Sequence, residues 1–174
     1  MKNLLLVLAF ILLRFSVAQA CSCVGERISE KKKIAKAYKQ DALIFTGRVL
    51  RADTLMAGDT LHGRSRFSGA DTVYTLRQAT VRYTFAVARL LKGPAGAATV
   101  TVSARTDDSA CGKVFRLGTD YLVHAYLLDQ EQSLSGDLKR IPPYFATSLC
   151  QRNKELRATR RPELRQLARL AARE

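Results

Sequence analysis

The chain has 174 residues, 47% of them hydrophobic, and 29 Lys+Arg against 15 Asp+Glu, a formal net charge of +14. That size fits one domain with its own core rather than several. The charge favours anionic partners such as acidic polysaccharide or an acidic protein, but the absence of Trp and of basic-aromatic interleaving argues against nucleic acid.

The chain starts with a leader pattern. Lys2 is a short positive region, Leu4 to Leu13 is an apolar run, and Ala18 and Ala20 put small residues at −3 and −1 of a signal-peptidase site. Residues 1–20 are therefore predicted to be a signal peptide, with Cys21 first in the mature chain. Losing Lys2 and Arg14 leaves 27 basic and 15 acidic residues, a net charge of +12. The leader is too short to span a bilayer and no other long apolar run follows, so no transmembrane helix is expected. The predicted location is secreted or extracellular, or the periplasm for a bacterial source. Ala18 and Gln19 make a poor lipobox, which argues against a lipid anchor on Cys21.

Export implies an oxidising compartment, where the four cysteines, Cys21, Cys23, Cys111 and Cys150, read as two disulfides. Their spacing leaves three connectivities open and lacks the paired ligands of a structural zinc site.

Ser29 to Gln40 reads as a helix with Ser29 as N-cap and Ile34, Ala37 and Tyr38 as its apolar stripe. Ala42 to Arg51 reads as a strand with Leu43, Phe45 and Val49 on one face, and Gly47 marks a bulge. Asp53 to Asp71, broken by Gly58, Gly63 and Gly69, reads as a long loop or an extended hairpin tip, and Thr72 to Leu76 as a short strand. Thr80 to Leu91 has the strongest strand alternation, ended by Lys92-Gly93-Pro94. Ala98 to Ala104 is the next strand, Lys113 to Arg116 a short extended piece, and Tyr121 to Leu128 another strand. Gln130 to Asp137 reads as a loop, and Leu138 to Ile141 as a short extended piece that stops at Pro142-Pro143. After Cys150 the chain is read as becoming helical, and Arg161 to Ala172 as a helix with Pro162 in its first turn and arginines on its outer face. The expected class is mainly β with flanking helices, a small five-stranded Greek-key barrel of the OB type, although pattern alone leaves a sandwich open.

The Cys21-Ser22-Cys23 start resembles that of the tissue inhibitors of metalloproteinases and the related netrin-like domains. Asp41 to Val49, Tyr83 to Val87 with Leu91-Lys92-Gly93, Cys111-Gly112 with Phe115, Gly118 and Tyr121 to Val123, and Ser148-Leu149-Cys150 resemble later features of that family in order. The resemblance covers residues 21–150, which it makes a netrin-like domain, and leaves 151–174 as a basic helix packed on it or trailing it. It implies an OB-fold-like barrel with Cys21 bonded to Cys111 and Cys23 to Cys150. It also implies a metalloprotease inhibitor, not an enzyme, with no cofactor of its own: the Cys21 amine and carbonyl would chelate the zinc of the target protease. Ser22 would enter the protease's specificity pocket, with Cys23, Asp108, Ser109 and Ala110 alongside. Unlike the animal inhibitors, the chain has only four cysteines, and Gly25 stands where they commonly have Pro. The rival reading is a non-inhibitory basic extracellular module for anionic polysaccharide or protein partners on the same scaffold. His62 and His124 stand outside any paired motif and read as incidental.

Overall fold

A computed structural model describes residues 23, 25–64, 71–105, 111–132 and 138–173, leaving the side chains of 56–78 and 131–132 outside the description. The described residues are mainly β, with two helices and a mixed six-stranded sheet. The elements run α1 (Glu30–Gln40), β1 (Leu43–Arg64), β2 (Asp71–Lys92), β3 (Thr99–Arg105), β4 (Asp120–Gln132), β5 (Leu138–Thr147), β6 (Lys154–Glu155), a 3-10 turn (Leu156–Ala158) and α2 (Arg161–Ala171). β1 pairs β2, β2 pairs β3, β3 pairs β5, β5 pairs β4 and β4 returns to β1, closing a ring of five strands. Within the ring only β3 and β5 are parallel, over Ser103↔Ala146 and Ala104↔Thr147.

Strand alternation sorts the apolar residues into two clusters. Leu43, Phe45, Val49, Val81, Tyr83, Phe85, Val102, Ala104, Tyr121, Val123 and Ala125 fill the ring, together with Phe115 from the β3–β4 connection. Ile44, Leu91 and Leu122 face outward and pack under Ile34 and Tyr38 of α1 and Leu167 of α2. Both helices therefore lie on the same outer side of the ring. The Ser29 side chain caps α1 by accepting from the Lys32 amide. At the other end of α1, Lys92 Nζ donates to the Tyr38 carbonyl at 2.6 Å, and Tyr38 Oη donates to the Leu91 carbonyl. Gly47 is required where β1 crosses β2, because a Cβ there would stand 2.4 Å from the Ala86 carbonyl oxygen.

Several boundaries differ from expectation. Asp53 to Asp71 is not one long loop: β1 continues to Arg64 and β2 begins at Asp71, paired in register from Leu55↔Thr80 to Arg64↔Asp71. Residues 65–70 lie outside the description. Glycines 58 and 63 read as breakers, but both sit inside the continuous β1–β2 ladder, opposite Arg77 and Thr72. Thr72 to Leu76 is the start of β2 rather than a separate strand. Lys113 to Arg116 pairs with no strand, and β4 runs on to Gln132 beyond the predicted end at Leu128. β5 passes through Pro142-Pro143 because the ladder skips them: Leu128 pairs with Tyr144 and Gln130 with Arg140, so residues 141–143 bulge and no proline must donate. After Cys150 the chain forms β6 and the 3-10 turn before its helix begins.

α2 is locked through Glu163, which is 4% exposed in its first turn. Arg152 donates to Glu163 Oε1 from Nε at 3.1 Å and Nη2 at 2.8 Å, and Lys154 Nζ donates to Oε2 at 2.8 Å. Burial pushes the Glu163 carboxyl up, but the hydrogen bonds from Lys154 and Arg152 outweigh it and hold the group below the usual carboxylate range. A depressed folded value contributes stability above the unfolded value of about 4.3, and that contribution disappears as pH falls through the folded value. Glu163→Gln is expected to cost about 2 kcal/mol near pH 7. The gap in melting temperature between the two proteins should narrow as pH falls below the unfolded value of about 4.3 and disappear once the pH is below the lowered folded value. A pH-independent gap would remove the ionic account of this lock.

Candidate functional site

The predicted site residues fall into two groups. Cys21, Ser22, Asp108, Ser109 and Ala110 lie outside the described residues. Cys23, Cys111 and Cys150 are described, and the structure brings them to one end of the ring.

Cys23 is bonded to Cys150 across 127 positions of sequence, with the two Cα atoms 5.4 Å apart. This is one of the two pairings implied by the resemblance. Cys111 is also a disulfide cysteine, and no cysteine among the described residues is free. Its carbonyl accepts from the Leu149 amide at 2.7 Å, tying the Cys111 segment to the residue beside Cys150. The Cys111 φ of 53° lies in the left-handed region that L side chains rarely adopt. The segment that begins at residue 23 is thus fastened beside the one that follows residues 106–110.

The turn carrying Cys150 is built from its own polar groups. The Ser148 amide donates to Gln151 Oε1 at 3.1 Å, the Ser148 hydroxyl pairs with the same oxygen, and the Cys150 amide donates to Ser148 Oγ at 3.2 Å. Asn153 joins this turn to the sheet. Its Nδ2 donates to Thr147 Oγ1 at 2.6 Å and to the Ser148 carbonyl at 3.3 Å, and its Oδ1 accepts from the His124 amide at 2.9 Å. Thr147 Oγ1 donates to the His124 carbonyl at 2.7 Å. Sequence reasoning missed Asn153, since a lone Asn between charged residues has no pattern to mark it.

His124 is fully buried and pairs through Nδ1 with Asp41 Oδ2 at 2.7 Å. Its Nε2 finds no partner among the described residues. Asp41 also caps α1, its amide donating to the Ala37 carbonyl. The pair joins α1, β4 and the Cys150 turn by hydrogen bonds. His124→Leu would leave the Asp41 carboxyl buried without this partner and is expected to cost about 3 kcal/mol. Adding Asp41→Asn to that variant should recover part of the loss, because the group left unpaired is then neutral. Strictly additive losses in denaturant unfolding would show that the two side chains are not coupled.

No group of three or more His, Cys, Asp or Glu side chains among the described residues could hold a metal ion. No described helix is long and apolar enough to cross a membrane. In comparison with known proteins, no family model matches the chain and no curated protein matches it significantly.

Proposed function

We propose that the protein is an exported inhibitor of zinc metalloproteases, with a netrin-like domain whose mature N-terminus is the inhibitory element. The reading rests on the N-terminal anchor: the Cys23–Cys150 bridge and the Leu149–Cys111 hydrogen bond hold the start of the mature chain beside the Cys111 segment. Two strands of chain fastened together form a preorganised ridge, which lowers the entropy lost on binding. The ring order β1-β2-β3-β5-β4 with β3 parallel to β5 supports a barrel of the OB type.

In this reading the leader is cut after Ala20 and Cys21 carries the only free main-chain amine. An α-amine with a pKa near 7.7–8.0 is partly neutral at pH 7, and zinc competes with its proton. The amine and the Cys21 carbonyl close a five-membered chelate on the protease's zinc, replacing the water at its open position. Ser22 then points into a pocket that accepts a small polar group. The sulfurs are engaged in disulfides and take no part in chelation. The test is inhibition of a panel of zinc endopeptidases by the processed protein, after mass spectrometry has established Cys21 as its first residue. Inhibition by protein that starts at Cys21 supports the reading, and failure against the whole panel counts against it.

A further inference from the structure

The two helices share a feature that the inhibitory ridge does not use. α1 contains Lys31, Lys32, Lys33, Lys36 and Lys39, and its one acid is Glu30. α2 contains Arg161, Arg165 and Arg169, with Arg173 just beyond it, and its one acid is Glu163. Both acids are already satisfied. Glu30 pairs with Lys33 and Arg152, and Glu163 is buried against Arg152 and Lys154. Lys36 pairs with Glu26. Lys31, Lys32, Lys39, Arg161, Arg165, Arg169 and Arg173 are exposed, and none has an ion-pair partner among the described residues.

Arg161, Arg165 and Arg169 recur at every fourth residue, so they line one face of the helix over about 12 Å, and Arg173 follows just past its end. That face is opposite the fully buried Leu167. The helices lie side by side on one outer side of the ring, joined by Leu167 against Ile34 and Tyr38 and by Gln166 Nε2 donating to the Lys31 carbonyl at 2.7 Å. Lys32 and Lys39, two turns apart, share one line of α1, with Lys31 at its flank, so the uncompensated cations lie in a row on each of two adjacent helices. Guanidinium groups bind oxyanions through paired N–H donors, which suits phosphate. The apolar faces of both helices are spent in the core, so neither can insert into hydrocarbon.

We propose that the outward face of α1 and α2 is a docking surface for an anionic phospholipid bilayer, held by charge alone. Two rows of cations match a plane of headgroups better than a single linear polyanion, which needs only one row or a groove. Docking does not depend on protease inhibition, so either can fail alone.

The test compares two triple variants with equal loss of charge. One is Arg161→Gln, Arg165→Gln, Arg169→Gln; the other is Arg82→Gln, Lys139→Gln, Arg140→Gln, at exposed strand positions. Co-sedimentation uses phosphatidylcholine vesicles with or without about one-third phosphatidylglycerol, at about 50 mM and about 500 mM salt. Circular dichroism checks that all three proteins fold alike. At low salt the helix variant should lose about a hundredfold in partition to the anionic vesicles, at roughly fivefold per cation, and the strand variant at most about threefold. Binding should vanish on neutral vesicles and at high salt. Equal losses in the two variants would show that net charge alone acts and overturn the proposal, as would absence of binding to anionic vesicles at low salt. Retention on dextran sulfate that depends on the same arginines, without vesicle binding, would make the occupant a polysaccharide and overturn it as well.

Discussion

One alanine added ahead of Cys21 is expected to reduce inhibition of a sensitive zinc endopeptidase by roughly a thousandfold or more. In the proposed mechanism the addition converts the primary amine of Cys21 into an amide, which is a poor zinc ligand, and puts a residue where the metal should sit. Losing a metal bond in a desolvated cleft costs several kcal/mol, and each 1.4 kcal/mol is a factor of ten in affinity. The Cys23–Cys150 bridge, the ring core and nearly all of the charge are unaffected by a residue placed three positions before Cys23. Circular dichroism and the melting temperature should therefore match those of the unextended protein. Equal inhibition by both forms would rule out the amine as the zinc-binding group and leave Ser22 and the surrounding ridge as the only inhibitory contacts.

Much of the ring was legible because its residues alternate. Leu43, Phe45 and Val49 turn inward and Ile44 outward, as period two requires, and Gly47 marks a close crossing. The helix ends were legible through Ser29 and Pro162, whose chemistry is local. What misled was punctuation read without a partner. Gly58 and Gly63 carry no mark of the ribbon strand that pairs with them, and Pro142-Pro143 gives no hint that the β4 ladder steps over it. The Cys23–Cys150 bridge was reached through resemblance, since spacing left three pairings open. The polar ties behind it, Asn153 to His124 and His124 to Asp41, join residues 29 and 83 positions apart, so no local pattern announces them.

Phe115→Ala is expected to be among the most damaging single substitutions in the domain, at about 4 kcal/mol. Phe115 belongs to no strand, yet it is 3% exposed and enters the ring core from the β3–β4 connection. Its ring meets three other aromatics edge to face: Tyr83 at 5.1 Å, Phe85 at 5.2 Å and Tyr121 at 4.9 Å between centroids. Removing it opens a cavity among these aromatics, which belong to strands paired into a closed ring and can collapse only partly. A domain of this size has a total stability of only about 5–15 kcal/mol, so a large fraction would be lost. Val114→Ala is the control, since Val114 is 64% exposed and should change stability by less than about 0.5 kcal/mol. Urea unfolding with the disulfides intact gives both numbers. Phe115 also anchors the segment only four residues after Cys111, whose carbonyl accepts from the Leu149 amide. Its loss should therefore speed hydrogen exchange at Leu149 beyond the change at the β1–β4 ladder amides. Similar costs for the two substitutions would mean that Phe115 does not plug the ring, and uniform exchange changes would mean that it does not brace the ridge.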